Sequence, residues 1–240
     1  MTGSAAAPAH PGSPTRSSAD PSAPVAHQQL LHRAVRRELR LLGDLSGWAE
    51  PDDVSRVAVL TRHAELVSRL LLQHHTCERD LLWPALVRSL GPSAGRARPA
   101  LDTWTRHCVE LDSQLRDVAT AARQWRVALS PVARDAFAIG CRALADAVAA
   151  QTAEEERELL PLLDGLDPGE WAALTASARR RTAPADRMAV LGLVLEDAGR
   201  SGRARVLGAV PRSTRLVWRL RGRRRYRAAV LRLRGAPPAD

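Results

Sequence analysis

The chain has 240 residues, 45% of them hydrophobic, and a formal net charge of +10 at pH 7. That length suits one domain of ordinary size with appendages. No stretch approaches the ~18 consecutive apolar residues of a membrane span, and the start carries no apolar segment of a signal peptide, so the expected compartment is the cytoplasm.

Cys77, Cys108 and Cys141 stand singly and form no C-x-x-C. This argues against a disulfide framework or a structural zinc knot and predicts small buried apolar residues. The positive charge is local. Residues 200–234 hold 13 Arg and no acid, whereas residues 1–199 carry 23 Arg against 25 acids, and lysine is absent throughout. The basicity therefore belongs to the tail.

Residues 1–24 are rich in Pro, Ser, Ala and Gly and almost lack large apolar side chains. Such a segment cannot bury enough surface to offset its ordering entropy, so it is expected to be disordered. His10 falls inside it without a role. A first helix is expected over residues 25–42, with Gly43 as its stop and His32, Val35, Leu39 and Leu42 as its inward stripe. His27 lies off that stripe.

A second helix opens at Pro51-Asp52-Asp53 and runs to residue 89, with a bend at Pro84. Leu60, His63, Val67, Leu70, His74, Glu78 and Leu81 trace one face. His74 and Glu78 are four apart, one turn above each other, and can grip one cation. His63 is roughly 16 Å further along at 1.5 Å per residue, so it reads as a core or rim residue. His75, rotated by about 100°, could swing inward, but the favoured reading is an interface or solvated residue.

A Gly/Pro/Ser loop precedes a third helix over residues 100–125, whose stripe Leu101, Trp104, His107, Leu111, Leu115 and Val118 places His107 inside. Ser130-Pro131 starts a fourth helix that reaches residue 160, ahead of Pro161 and the Asp164-Gly165 turn. Its stripe is Phe137, Leu144, Val148, Gln151, Glu155, Glu158 and Leu162. Successive polar residues on an otherwise buried stripe call for a partner such as a metal ion.

Long helices, short loops and no β-periodic run indicate an all-α protein, an up-down-up-down four-helix bundle with further C-terminal helices. In such a bundle His32, His74, Glu78, His107, Gln151 and Glu155 occupy heights compatible with one layer. The stretches LLHRAVRREL, LLQHHTCERDLLWPAL, TRHCVELDSQL and QTAEEERELLPLL together resemble the hemerythrin-like, HHE cation-binding family over residues 25–200.

The resemblance implies a non-haem di-iron centre inside the bundle, with His32, His74 and His107 as imidazole ligands and Glu78 and Glu155 as bridging carboxylates. It implies O2 or a related oxidant as the small-molecule ligand. Two departures stand out. Gln151 replaces the histidine that opens the family's last motif, and an amide oxygen is a poorer ligand than imidazole. Arg79 replaces a common Asp. With Glu154, Glu158 or water as substitutes, the centre would hold two ions if intact, and one or none otherwise.

Beyond the bundle, expected at residues 25–165, a helical extension over 166–199 is apolar enough to dock at Met188, Leu191 and Leu195. The segment 200–240 alternates Arg with Val, Leu, Trp218 and Tyr226. Such a segment can bind nucleic acid or an anionic membrane. The favoured expectation is instead a solvated, partly docked helix whose Arg stems cover apolar surface, with no nucleic acid as partner.

No Ser-His-Asp set or phosphate loop occurs, and the run at Gly202 lacks the glycine spacing of a dinucleotide loop. Nothing requires catalysis. The leading functional expectation is an iron protein that binds or senses O2 or oxidants. The alternative is a metal-free helical interaction module whose basic tail contacts nucleic acid, lipid or a partner protein.

Overall fold

The computed structural model describes residues 21–236 and 238. Most of the segment expected to be disordered, residues 1–20, lies outside the described residues. Among the described residues every regular element is helical, and none is long and apolar enough to cross a membrane.

Helix α1 spans Ala23–Gly47, with Pro24 in its first turn, where the missing N–H has no intrahelical partner to lose. It does not stop at Gly43 as the sequence suggested. Gly43 instead marks close approach: the Arg142 stem packs where a Cβ would stand, and Arg142 Nη1 donates to the Gly43 carbonyl at 2.9 Å. A mid-helix glycine costs about 1 kcal/mol against alanine. Here that cost admits a neighbouring helix.

Helix α2 spans Val54–Cys77 and is capped by Asp53, whose side chain accepts from Arg56 N at 3.0 Å. The expected bend at Pro84 takes the form of a π-turn over Glu78–Leu82, closed by Trp83 N–H onto the Glu78 carbonyl, after which α3 runs Trp83–Leu90. In a regular α-helix the Pro84 ring would press on the carbonyl of residue 80 and leave it without a donor. The widened turn absorbs both defects and fixes where Glu78 points.

A 3-10 segment, Gly91–Arg96, leads to α4, Arg98–Ala128. Leu129 follows in the left-handed region at φ 47°, and α5, Pro131–Glu158, begins with the Ser130 hydroxyl accepting from Ala133 N. Helix α1 packs along α2 and α5, and α4 packs along the same two helices. Their shared core includes Leu39, Leu42, Leu60, Leu111, Trp125, Phe137 and Leu144. Burial of each such side chain contributes about 1.5–3 kcal/mol. A second apolar cluster, with Leu82, Trp83, Leu86, Trp104, Leu159 and Leu160, closes the other end.

After the 3-10 segment Leu160–Gly165 come α6 (Pro168–Arg181), α7 (Pro184–Glu196), α8 (Arg200–Ala209) and α9 (Arg212–Val217). A π-turn over Trp218–Gly222 then joins α9 to α10, Arg223–Arg234. The Arg-rich segment is docked on one face: Trp218, Val230 and Leu233 are buried, and α10 packs on α2 and α7. Arg56 Nη1 donates to the Leu233 carbonyl at 2.7 Å, and Gly192 leaves room for the Tyr226 ring.

Candidate metal centre

Four side chains converge where the two apolar clusters meet. His32 comes from α1, His74 from the last turn of α2, Glu78 from the start of the π-turn and Glu155 from the last turn of α5. All four are buried, and one ligand atom from each lies within 4.8 Å of the others. His74 Nε2 is 3.1 Å from Glu78 Oε1, and His32 Nε2 is 3.4 Å from Glu155 Oε1.

A surrounding layer orients these groups. His32 Nδ1 stands 2.9 Å from Glu156 Oε1, which also accepts from Arg36 Nη2 at 2.9 Å, so the other ring nitrogen turns inward. Gln28 Nε2 donates to Glu78 Oε1 at 2.6 Å, and Gln151 Nε2 donates to Glu155 Oε2 at 3.1 Å. Yet His32 Nε2, His74 Nε2, Glu78 Oε2, Glu155 Oε1 and Gln151 Oε1 are buried without a hydrogen-bond partner. Unpartnered buried polar atoms cost about 1–3 kcal/mol each, so a set of them aimed at one point fits a bound cation. Two imidazoles and two carboxylates suit a first-row transition metal, and the carboxylate charges offset a divalent ion.

The electrostatics agree with that reading. Burial, reinforced by the Glu155 charge, pushes the Glu78 carboxyl well above the usual carboxylate range. Burial also depresses the His74 imidazole. It opposes charge on His32 too, but Glu155 and Glu156 outweigh it and hold His32 raised to about 9. For Glu155, burial is overcome by His32, and its carboxyl is lowered. Burial thus works against charge on Glu78 and His74, while His32 and Glu155 favour each other's charged forms.

The other expected ligands sit differently. Gln151 is buried beside Glu155. His107, expected inside, has a side chain 29% exposed, with Nδ1 3.4 Å from Glu154 Oε2. It borders a small cavity of about 10 Å³ shared with Gln151, Glu154 and Glu155. Glu158 also borders that cavity but is exposed and pairs with Arg157. Two residues given no ligand role lie beside the cluster. Gln28, four before His32, was legible on the same stripe. His75, expected at an interface or in solvent, is buried with both ring nitrogens unpartnered, edge-on to Trp104, and burial lowers its pKa to about 4.

The all-helical core thus contains a buried His/Glu cluster that could hold a metal ion. The family model of the hemerythrin HHE cation binding domain matches residues 24–163, and the chain belongs to that family. Comparison with curated proteins and with solved structures finds no match.

Proposed function

We propose that His32, His74, Glu78 and Glu155 hold non-haem iron and that the protein binds or senses O2 or a related small oxidant there, within an up-down-up-down four-helix bundle. The observation that carries this reading is the convergence of partnerless buried donor atoms from three helices. The family's typical metal is iron. When bound, iron supplies an open coordination position for the small ligand.

The chain's own residues do the rest. Glu156 and Arg36 fix the His32 ring, Gln28 fixes Glu78, and the flanking apolar clusters keep bulk water out. Four donors within one ion's reach favour one well-held position. A second, weaker position would draw on Glu155, Gln151, Glu154 and His107 around the small cavity.

We place the bundle at residues 25–165, with a helical extension over 166–199 and an Arg-rich tail over 200–240. The three unpaired thiols suit the reducing cytoplasm. Elemental analysis and an absorption spectrum of the purified full chain test the reading. Near-stoichiometric iron, with near-ultraviolet bands if two ferric ions share an oxo bridge, is expected. A protein that takes up no iron after anaerobic reconstitution, and shows no such absorption, would be a metal-free helical interaction module instead.

A further inference from the structure

A cavity of about 880 Å³ lies between α1, α2 and the first π-turn on one side and α6 to α9 on the other. That volume falls within the range of small-molecule pockets, about 300–1,000 Å³. Its walls are mainly aliphatic, among them Leu31, Leu70, Val190 and Leu191, with the Trp171 ring. At its inner end stand Gln28, His74 and Glu78, all buried, and His74 Nε2 and Glu78 Oε2 have no hydrogen-bond partner. Toward its outer end stand Arg179 and Arg187, half-buried, and Arg205, exposed.

The distribution of charge selects a ligand. Three guanidinium groups line the cavity against a single carboxylate, Glu78, and Glu78 belongs to the innermost part. A largely apolar chamber bordered by more exposed cations matches a molecule with a hydrocarbon chain and one anionic head. Arginine pairs with a carboxylate in bidentate fashion, and aliphatic walls give a hydrocarbon chain an apolar environment without demanding hydrogen bonds.

We propose that this cavity binds an acyl-chain carboxylate, its head among Arg179, Arg187 and Arg205 and its chain directed toward Gln28, His74 and Glu78. The head of the ligand would meet side chains other than the proposed metal ligands. The site goes beyond the iron reading, and either can fail alone. The bound chain would lie against one side of the cation cluster and cover it.

The test uses the full chain after chelation of metal, with dodecanoate as ligand in calorimetry and a bromo-dodecanoate as quencher of tryptophan fluorescence. Saturable binding of one molecule per chain below the micellar range is expected, with quenching that is lost in Trp171→Phe. Val190→Trp, which fills the chamber, should weaken binding more than tenfold.

Arg179→Gln should weaken dodecanoate roughly three- to tenfold and leave dodecanol unchanged, and it remains informative if Val190→Trp fails to fold. Absence of saturable binding, quenching that survives Trp171→Phe, or equal loss of acid and alcohol in Arg179→Gln would each overturn the proposal. Iron analysis on a portion taken before chelation, and again after anaerobic reconstitution, reports separately on the metal centre.

Discussion

Helix α1 carries two buried charged sites six residues apart, about 9 Å along its axis, and they are built on opposite plans. At Glu38 both carboxylate oxygens are occupied: Oε1 accepts from Arg37 Nε at 2.7 Å and Arg234 Nη2 at 2.6 Å, and Oε2 stands 2.7 Å from His63 Nε2. At His32 the ring is steered by Glu156, but its inner nitrogen and the atoms facing it have no hydrogen-bond partner. A buried charge whose partners are all supplied by the chain is a fastening. One whose partners are withheld is a receptacle. The same helix thus clasps the C-terminal segment through Glu38 and presents a cation site through His32.

If that contrast is right, the fastening should break first. Glu38→Ala leaves Arg37 and Arg234 beside each other without their shared carboxylate, with Glu196 facing both and Asp197 facing Arg37. Removal of one partner from a buried ion pair costs about 3–5 kcal/mol. The urea midpoint should fall accordingly, while iron bound per folded chain stays unchanged.

Acid should act on the same site by a smaller amount. Burial works against ionisation of Glu38, but His63, Arg37 and Arg234 overcome it and hold its carboxyl near 2, against an ordinary 4.5. A carboxyl lowered in the folded state stabilises the fold fully above its ordinary value, and that contribution is lost as pH falls from about 4.5 toward 2. Glu196 and Asp197, from the segment packed against it, also face Arg37. The loss amounts to about 3 kcal/mol at 1.36 kcal/mol per pH unit. Urea midpoints of the wild type should slope in this window, and those of Glu38→Gln should be flatter.

The receptacle should respond in the reverse sense. Burial disfavours charge on Glu78, so Glu78→Gln, an uncharged group of similar shape, should move metal-free stability by less than about 1 kcal/mol. It removes a ligand, however. The rise in melting temperature on addition of ferrous iron, which follows mass action, should largely disappear. Equal iron-induced shifts in variant and parent would deny Glu78 its place in the site.

How far these two sites were legible depends on the reach of the interactions. His74, Glu78 and Glu155 stood out because each continues an apolar helical stripe, and a stripe records one helix's own face. His107 sits less deeply than its stripe implied, for a related reason. At 100° per residue it lies about 60° to one side of the line set by Trp104, and Cys108 lies about 40° to the other, so neither faces fully inward. Both are only partly buried.

The π-turn left no trace except Pro84. The Glu38 clasp was invisible because its partner Arg234 lies 196 residues away, and one Arg among 13 in the tail carries no mark of its destination. The docked face of α10, with Val230 and Leu233, could be anticipated as amphipathic, but not the helices it would meet.

The smallest effect tests whether the receptacle is short of a ligand. Gln151 is buried next to Glu155, and its amide oxygen has no partner. Its nitrogen holds Glu155 Oε2, so the residue steadies a carboxylate where an imidazole would bind directly. Gln151→His would exchange that support for a ligand atom on the side of the cluster nearest His107 and the small cavity. A first-row metal gains from imidazole in place of amide oxygen, and a tenfold gain in affinity corresponds to about 1.4 kcal/mol. Iron per chain at limiting supply should therefore rise, and dissociation to a chelator should slow about tenfold. If neither changes, the shortage does not lie at residue 151, and the four-residue cluster already supplies all the protein ligands that the cation uses.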